Sequence, residues 1–317
     1  MAPTTPSHSL ARATAVSQLD PSTFAAELLP AFCIGSVPNG GYVASIFLRT
    51  ARVFWSGRRD VVAVHWQFLS RTRTGRAVIH VDHVKAGRAI SVLHLSLRQD
   101  GLLPETPWFD RASSSVVVAA YMTCASLDAE VGISLATDWE VPRPPPGVNL
   151  GDLICGRDPR WRRMWTSLMH RQPLLRQIEF FMPRAGHALP ATQDFWIRFA
   201  SGELFTDTAL GFVVDLLSPL LIESYRPADE QSKGGFAYTD SFWYPTLTMS
   251  LDVKKRLPPA GAEWLRLRAE AAVIRNGRFD SRLFVFDADG HLIAWSGQVA
   301  MVVNYERNLA KPSKMKI

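Results

Sequence analysis

One order of patterns occurs twice in this chain of 317 residues: an apolar stretch of helical period, then stretches of strand period broken by turn residues. In the first half, SVPNGGYVASIFLRTARVFW opens at the Pro38 to Gly41 turn and carries Val43, Ile46, Phe47, Thr50 and Phe54 on one helical face. From Asp60 to Cys124 the period shortens to that of strands, with turn signals at Arg73-Thr74-Gly75, Ala86-Gly87 and Asp100-Gly101. In the second half, QIEFF and DFWIRFA precede LFTDTALGFVVDLLSP, Leu204 to Pro219, and four strand-like stretches run on to Asn304. An apolar helix needs a sheet to cover it, and an antiparallel sheet needs cover on one face. The repeat therefore predicts an α+β protein of two tandem units, each a long helix laid against an antiparallel sheet.

The boundaries follow from where periodicity starts and stops. Residues 1–19, rich in Pro, Thr, Ser and Ala, read as a mobile leader, and Asp20-Pro21 reads as the start of a short helix bearing Phe24, Leu28 and Leu29. The first unit spans 20–127, a Pro-rich linker or covering loop 128–170, the second unit 171–305, and a tail 306–317. At 47% hydrophobic residues the chain can bury a substantial core. Its net charge of +6 comes without regular interleaving of basic and aromatic residues, which disfavours nucleic acid and suits anionic small molecules or acidic protein partners. Arg71, Arg73, Arg76, Lys85 and Arg88 gather around two turns of the first sheet, where they could meet a phosphopantetheine-bearing nucleotide or an acidic carrier domain. Three widely spaced cysteines exclude a disulfide framework and a CxxC metal site. With no membrane-length apolar run and no secretory profile, a cytoplasmic setting is expected.

The chemistry-bearing residues lie in the second half. Leu210, Val213, Val214 and Leu217 form one helical face and Phe212 and Leu216 fill the other, so this helix should be enclosed. Pro219 reads as its stop. Asp215 then falls in the last turn, beside free carbonyls that disfavour a carboxylate, and helix stability does not account for it. TLTMSLDV alternates, with Leu247, Met249, Leu251 and Val253 on one face and Thr246, Thr248, Ser250 and Asp252 on the other. Gln298 sits among Ala, Val and Met on the last strand and needs buried partners. Gly40 and Gly41 allow backbone amides to approach a ligand. Other signals fail on spacing. Asp287-x-Asp289-Gly290 has its glycine too early for a calcium loop, and His83 leaves the strand face that His80 and Asp82 share, so no metal and no cofactor are expected. There is neither a Gly-x-Ser-x-Gly elbow nor a phosphate-binding loop.

PNGGYVASIFLRTA in the first half, and IEFFMPRAGHALPATQDFWIRF, ALGFVVDLLSP, PTLTMSLDV and GHLIAWSGQVAMV in the second, resemble the acyl-CoA thioesterase II family over roughly residues 20 to 304. The resemblance implies a double hotdog fold and hydrolysis of acyl-CoA or carrier-protein-bound acyl thioesters, fatty or polyketide-like. It also implies a water held by an Asp on the second helix, a Thr on the following strand and a Gln on the last strand. Those positions fall on Asp215, Ser250 and Gln298, with Thr248 as the alternative hydroxyl and Gly40 and Gly41 as candidate oxyanion donors. Ser in place of Thr keeps the hydroxyl and loses the methyl that restricts its rotamer. Two other readings use the same fold: a dehydratase, isomerase or cyclase acting on a polyketide-like intermediate, or a non-catalytic acyl-binding protein. Hotdog dehydratases pair a His with an acid, and neither central helix carries a suitable His. The paired units can complete the fold within a monomer, and a homo-oligomer is also compatible.

Overall fold

The computed structural model describes residues 9–165, 172–232 and 234–309. The first unit comprises α1 (Leu10–Ala13), β1 (Val16–Asp20), β2 (Thr23–Leu28), α2 (Gly40–Phe54), β3 (Asp60–Phe68), β4 (Gly75–Lys85), β5 (Ser91–Gln99) and β6 (Ser115–Ala125). A long connection holds α3 (Leu150–Ile154) and β7 (Trp161–Arg163). The second unit follows with β8 (Ile178–Pro183), β9 (Thr192–Phe199), α4 (Leu210–Val213), α5 (Ser218–Glu223), β10 (Thr246–Val253), β11 (Leu265–Glu270), β12 (Arg278–Phe286), β13 (Leu292–Met301) and α6 (Glu306–Leu309). The main sheet has 14 strands in the order β1-β2-β4-β5-β6-β3-β10-β13-β12-β11-β9-β8-β7, with the short strand Ile274–Arg275 beside β12. Each unit is a hotdog, and the two join edge to edge where β3 pairs antiparallel with β10, Trp66 opposite Met249 and His65 opposite Ser250. Alternate residues such as Leu93, Leu95 and Leu97 of β5 and Leu265, Leu267 and Ala269 of β11 bury toward the two central helices.

Three local expectations are corrected. Residues 10–19 of the expected leader are not mobile: Leu10 and Ala13 are buried, and β1 pairs with β2, Val16 opposite Ala26. The carboxylate of Glu203 accepts from the amides of Leu10 and Ala11 at 2.7 and 2.8 Å, satisfying the free N–H groups of α1 from far along the chain. Asp20-Pro21 does not start a helix. Asp20 Oδ1 accepts from Ser22 N–H at 2.9 Å in a tight turn, and Phe24, Ala26 and Leu28 alternate inward along β2. The first eight residues of that leader, residues 166–170 of the linker and the tail beyond 309 lie outside the described residues.

The third correction concerns the helix expected over Leu204 to Pro219. A 3-10 turn, Asp207–Ala209, leads into α4, which ends at Val213, and α5 starts at Ser218. Pro219 stands in the first turn of α5, where its missing N–H costs nothing, so it opens a helix instead of closing one. Val214 to Leu217 form the break, with Asp215 inside it. The long connection is anchored as well. Buried Arg268 forms a bidentate pair with Asp194 at 2.9 and 2.7 Å and donates to the carbonyls of Pro142 and Arg143, tying the Pro-rich segment to the second sheet.

The helices meet at two glycines. A Cβ on Gly41 would lie 2.7 Å from the carbonyl oxygen of Gly211 and 2.9 Å from that of Phe212, and a Cβ on Gly211 would lie 2.6 Å from the amide nitrogen of Ser45. Ser45 Oγ accepts from Phe212 N–H at 2.8 Å at the same crossing. These clashes are with backbone, which cannot yield without separating the helices. Gly211→Ala should therefore lower unfolding free energy by about 3 kcal/mol despite alanine's better helix propensity, a loss measurable by urea denaturation.

Candidate active site

Asn39-Gly40-Gly41 begins the site. Asn39 has extended backbone and its Oδ1 accepts from Tyr42 N–H at 2.9 Å, which caps the 15-residue helix α2. The cap leaves the Gly41 amide free to point out of the helix end, where partial positive charge accumulates. Asp215 fills that position. Its Oδ2 accepts from Gly41 N–H at 2.8 Å and from Asn39 Nδ2 at 2.9 Å, while its Oδ1 accepts from Thr246 Oγ1 at 3.1 Å. An acid misplaced for its own helix is thus well placed for its neighbour.

Asp215 is 7% exposed. Burial pushes its carboxyl up from 3.8 to about 6, and the Gly41 amide, the Thr246 hydroxyl and the Asn39 amide oppose that rise. These donors hold the carboxyl lower than burial alone would set it. With them it is mainly ionised at pH 7 and can still take up a proton.

The hydroxyl beside the acid is Thr246, not Ser250 or Thr248. β10 pairs with β13 with Thr246 opposite Ala300 but Thr248 opposite Val299, so two residues of β10 stand against one of β13. This bulge at Leu247 reverses the alternation, bringing Thr246 to the side of buried Met249 and Leu251. Ser250 points to the other face, where its Oγ contacts Gly297 O at 3.2 Å and Gly297 N at 3.1 Å.

Gln298 comes to the helix break without touching the Asp215 carboxylate. Its Nε2 donates to Val214 O at 2.7 Å, satisfying a carbonyl left open where α4 ends, and its Oε1 accepts from Ser218 Oγ at 2.7 Å. Ser218 Oγ is also 3.1 Å from Ser281 Oγ. Gln298 and Ser218 bind the two sides of the break and so fix the turn that presents Asp215. Of the glycine pair, Gly41 has its amide engaged by Asp215, which removes it as an oxyanion donor, and Gly40 stands beside Asp215 Oδ2 and Phe68.

Asn39, Thr246 and Ser218 are the residues that sequence reasoning missed. Asn39 had a signal, an N-cap type directly before a helix-opening Gly-Gly. Thr246 and Ser218 had none, since a bulge and a helix break set them in place. Among the basic residues of the first sheet, Arg73 is paired with Asp100 and Arg71 lies over Trp243 and donates to Asn308 O. Asp287 belongs to a hairpin turn, with Oδ1 accepting from Asp289 N–H and His291 N–H and Oδ2 paired with Lys255. Asp287, Asp289 and His291 bring their ligand atoms within 4.8 Å of one another at this exposed turn.

The ionised form of Asp215 carries a penalty of about 3 kcal/mol relative to the unfolded chain, judged from the rise of its pKa from 3.8 to about 6. The folded state binds the extra proton between these values, so this penalty is absent at low pH and grows as pH rises through the window. Asp215→Asn should raise the melting temperature by a few degrees at pH 8 and lose that advantage below about pH 4, as thermal unfolding across pH would show.

Residues 28–125 match the family model for the acyl-CoA thioesterase N-terminal domain, and residues 155–302 match that for the acyl-CoA thioesterase C-terminal domain. The thioesterase-like protein TwmA of Talaromyces wortmannii is 37% identical over 330 aligned positions, covering 95% of this chain and 94% of that protein. A conserved hot dog fold protein of unknown function from Alicyclobacillus acidocaldarius superposes with a TM-score of 0.69 at 19% identity, covering 93% of this chain and 98% of that one. The acyl-CoA thioesterase II TesB2 of Mycobacterium marinum gives 0.61 at 18% identity, covering 97% and 99%. At these identities the two structures share the fold. Among the described residues, no helix is long and apolar enough to cross a membrane.

Proposed function

From a chain that belongs to the acyl-CoA thioesterase family and carries two hotdog units in tandem, we propose hydrolysis of an acyl thioester, carried by CoA or an acyl carrier protein, by a water that Asp215 deprotonates. The observation that carries this reading is a buried carboxylate with an ionisation near 6, aimed across a helix break and held by three donors. Such a group is a general base near neutral pH. Thr246 orients the carboxylate and the water beside it. Gln298 keeps one N–H and one acceptor position beyond its bonds to Val214 and Ser218, enough to hold the same water.

Water oxygen attacks the thioester carbon as its proton passes to Asp215, and the carbonyl oxygen becomes an oxyanion facing the amide end of α2, where Gly40 is the remaining donor. Collapse breaks the C–S bond, and the thiolate leaves and recovers the proton from Asp215. The products are a carboxylic acid and a free thiol, with the base regenerated. No residue is acylated. The dehydratase reading gains nothing from the geometry, since the partners of Asp215 are Asn39, Gly41 and Thr246 and none is a histidine. A neutral acceptor could satisfy the same three donors in an acyl-binding protein without turnover, so a carboxylate with a raised pKa at this place favours chemistry.

Thiol release should be followed across acyl-CoA chain lengths and an acyl carrier protein series. Asp215→Asn should reduce kcat/KM by about 10²- to 10⁴-fold and Thr246→Val by about tenfold. Ser250→Ala, facing the opposite side of β10, should stay within about twofold of wild type. Equal rates for wild type and Asp215→Asn on every substrate would refute the water-activation reading.

A further inference from the structure

Asn39 uses both ends of its side chain at once. Its Oδ1 caps α2 through Tyr42 N–H, and its Nδ2 donates to Asp215 Oδ2. With Oδ1 committed to the helix, the amide group has a fixed plane, and its NH₂ end is turned to the acid. The helix alone does not explain the choice of residue. Ser and Asp cap a helix about as well as Asn, yet neither would present an N–H donor on the far side of the cap.

The two oxygens of Asp215 are also unlike each other. Oδ2 is held by two N–H groups, Asn39 Nδ2 and Gly41 N, and an N–H can only donate. A proton on Oδ2 would face those two donors. Oδ1 meets the Thr246 hydroxyl, which can turn from donating to accepting when the carboxyl gains a proton.

We propose that Asn39 is a positioning residue for the base: together with Gly41 it reserves Asp215 Oδ2 for the helix end, so that Oδ1 alone takes the proton from the attacking water. This rests on the reading of Asp215 as the general base. Asn39 would act through Asp215 without touching the reacting atoms. It also favours the ionised carboxylate, so the pH at which the base becomes available depends on a residue whose other task is to start a helix.

The test compares wild type, Asn39→Ser, Asn39→Asp and Asp215→Asn by kcat and KM between about pH 5 and 9, with melting temperatures for each. Asn39→Ser keeps the cap and loses the donor. It should melt within a few degrees of wild type, keep its KM, and show the rise of kcat/KM displaced to higher pH by about one unit. Asn39→Asp keeps the cap and sets a second carboxylate beside the first, which should displace the rise further in the same direction. Should Asn39→Ser fail to fold, Asn39→Asp carries the comparison. An Asn39 variant that folds and whose profile rises at the wild-type pH would overturn the positioning role, even if its rate were uniformly lower. Full activity in Asp215→Asn would instead overturn the general-base reading; inactive Asp215→Asn with an unshifted Asn39→Ser profile sinks only the assignment to Asn39.

Discussion

The contact between the Asp215 carboxylate and the amino end of α2 is the constraint to which the rest of the site answers. A buried carboxylate is tolerated only where donors replace water, and here the cap residue, a helix amide and a strand hydroxyl do so. For the acid to reach that helix end, the two helices must cross with backbones nearly touching, which Gly41 and Gly211 permit. The chain that carries the acid must also turn out of its own helix, which the break between α4 and α5 accomplishes. Gln298 and Ser218 then stabilise that break from β13 and α5. Stability is given up locally to hold a buried, ionisable acid at that helix end.

The duplicated architecture makes this arrangement one-sided. Gly41 and Gly211 occupy matching places at the crossing, and four residues after each stand Ser45 and Asp215. Ser45 does for the second helix a neutral version of what Asp215 does for the first, accepting from Phe212 N–H. A serine there needs no counter-charge and offers no base. The two hotdogs thus place one buried carboxylate and one buried serine at the matching positions. Elsewhere on the double unit, Arg256 is paired with Asp60, Asp128 and Asp207, and its charges are spent on one another. A duplication that keeps the packing of both helices can therefore carry an ionisable acid at one end and a neutral hydroxyl at the other.

Much of the fold was legible because it is written in periodicity. Helix followed by antiparallel strands, twice, identifies the layers, and the glycine-rich start of α2 identifies where they come close. Asp215 was legible as an acid without a local explanation, and Gln298 as a buried amide in need of partners. What escaped was set by partners distant in sequence. Glu203 orders the segment at Leu10, so the composition there suggested disorder. The apolar residues of Leu210 to Leu217 are buried all round whether or not the helix is continuous, and Pro219 suits a helix start as well as an end. The hydroxyl that meets Asp215 escaped for a narrower reason. Alternation along TLTMSLDV is genuine from Thr248 onward, but one extra residue opposite β13 inverts it at Thr246.

The ionisation of Asp215 is the quantity on which burial, helix end and the proposed catalysis all converge, and it can be observed without substrate. Carbon-13 NMR of protein labelled at aspartate side-chain carboxyls, with the resonance identified by its absence in Asp215→Asn, would follow that single group through a pH titration. A midpoint near 6, well above the ordinary aspartate value of 3.8, is the result this account requires. A midpoint at or below 3.8 would mean that the carboxylate is solvated or paired with a cation, and the buried base against the end of α2 would have to be abandoned.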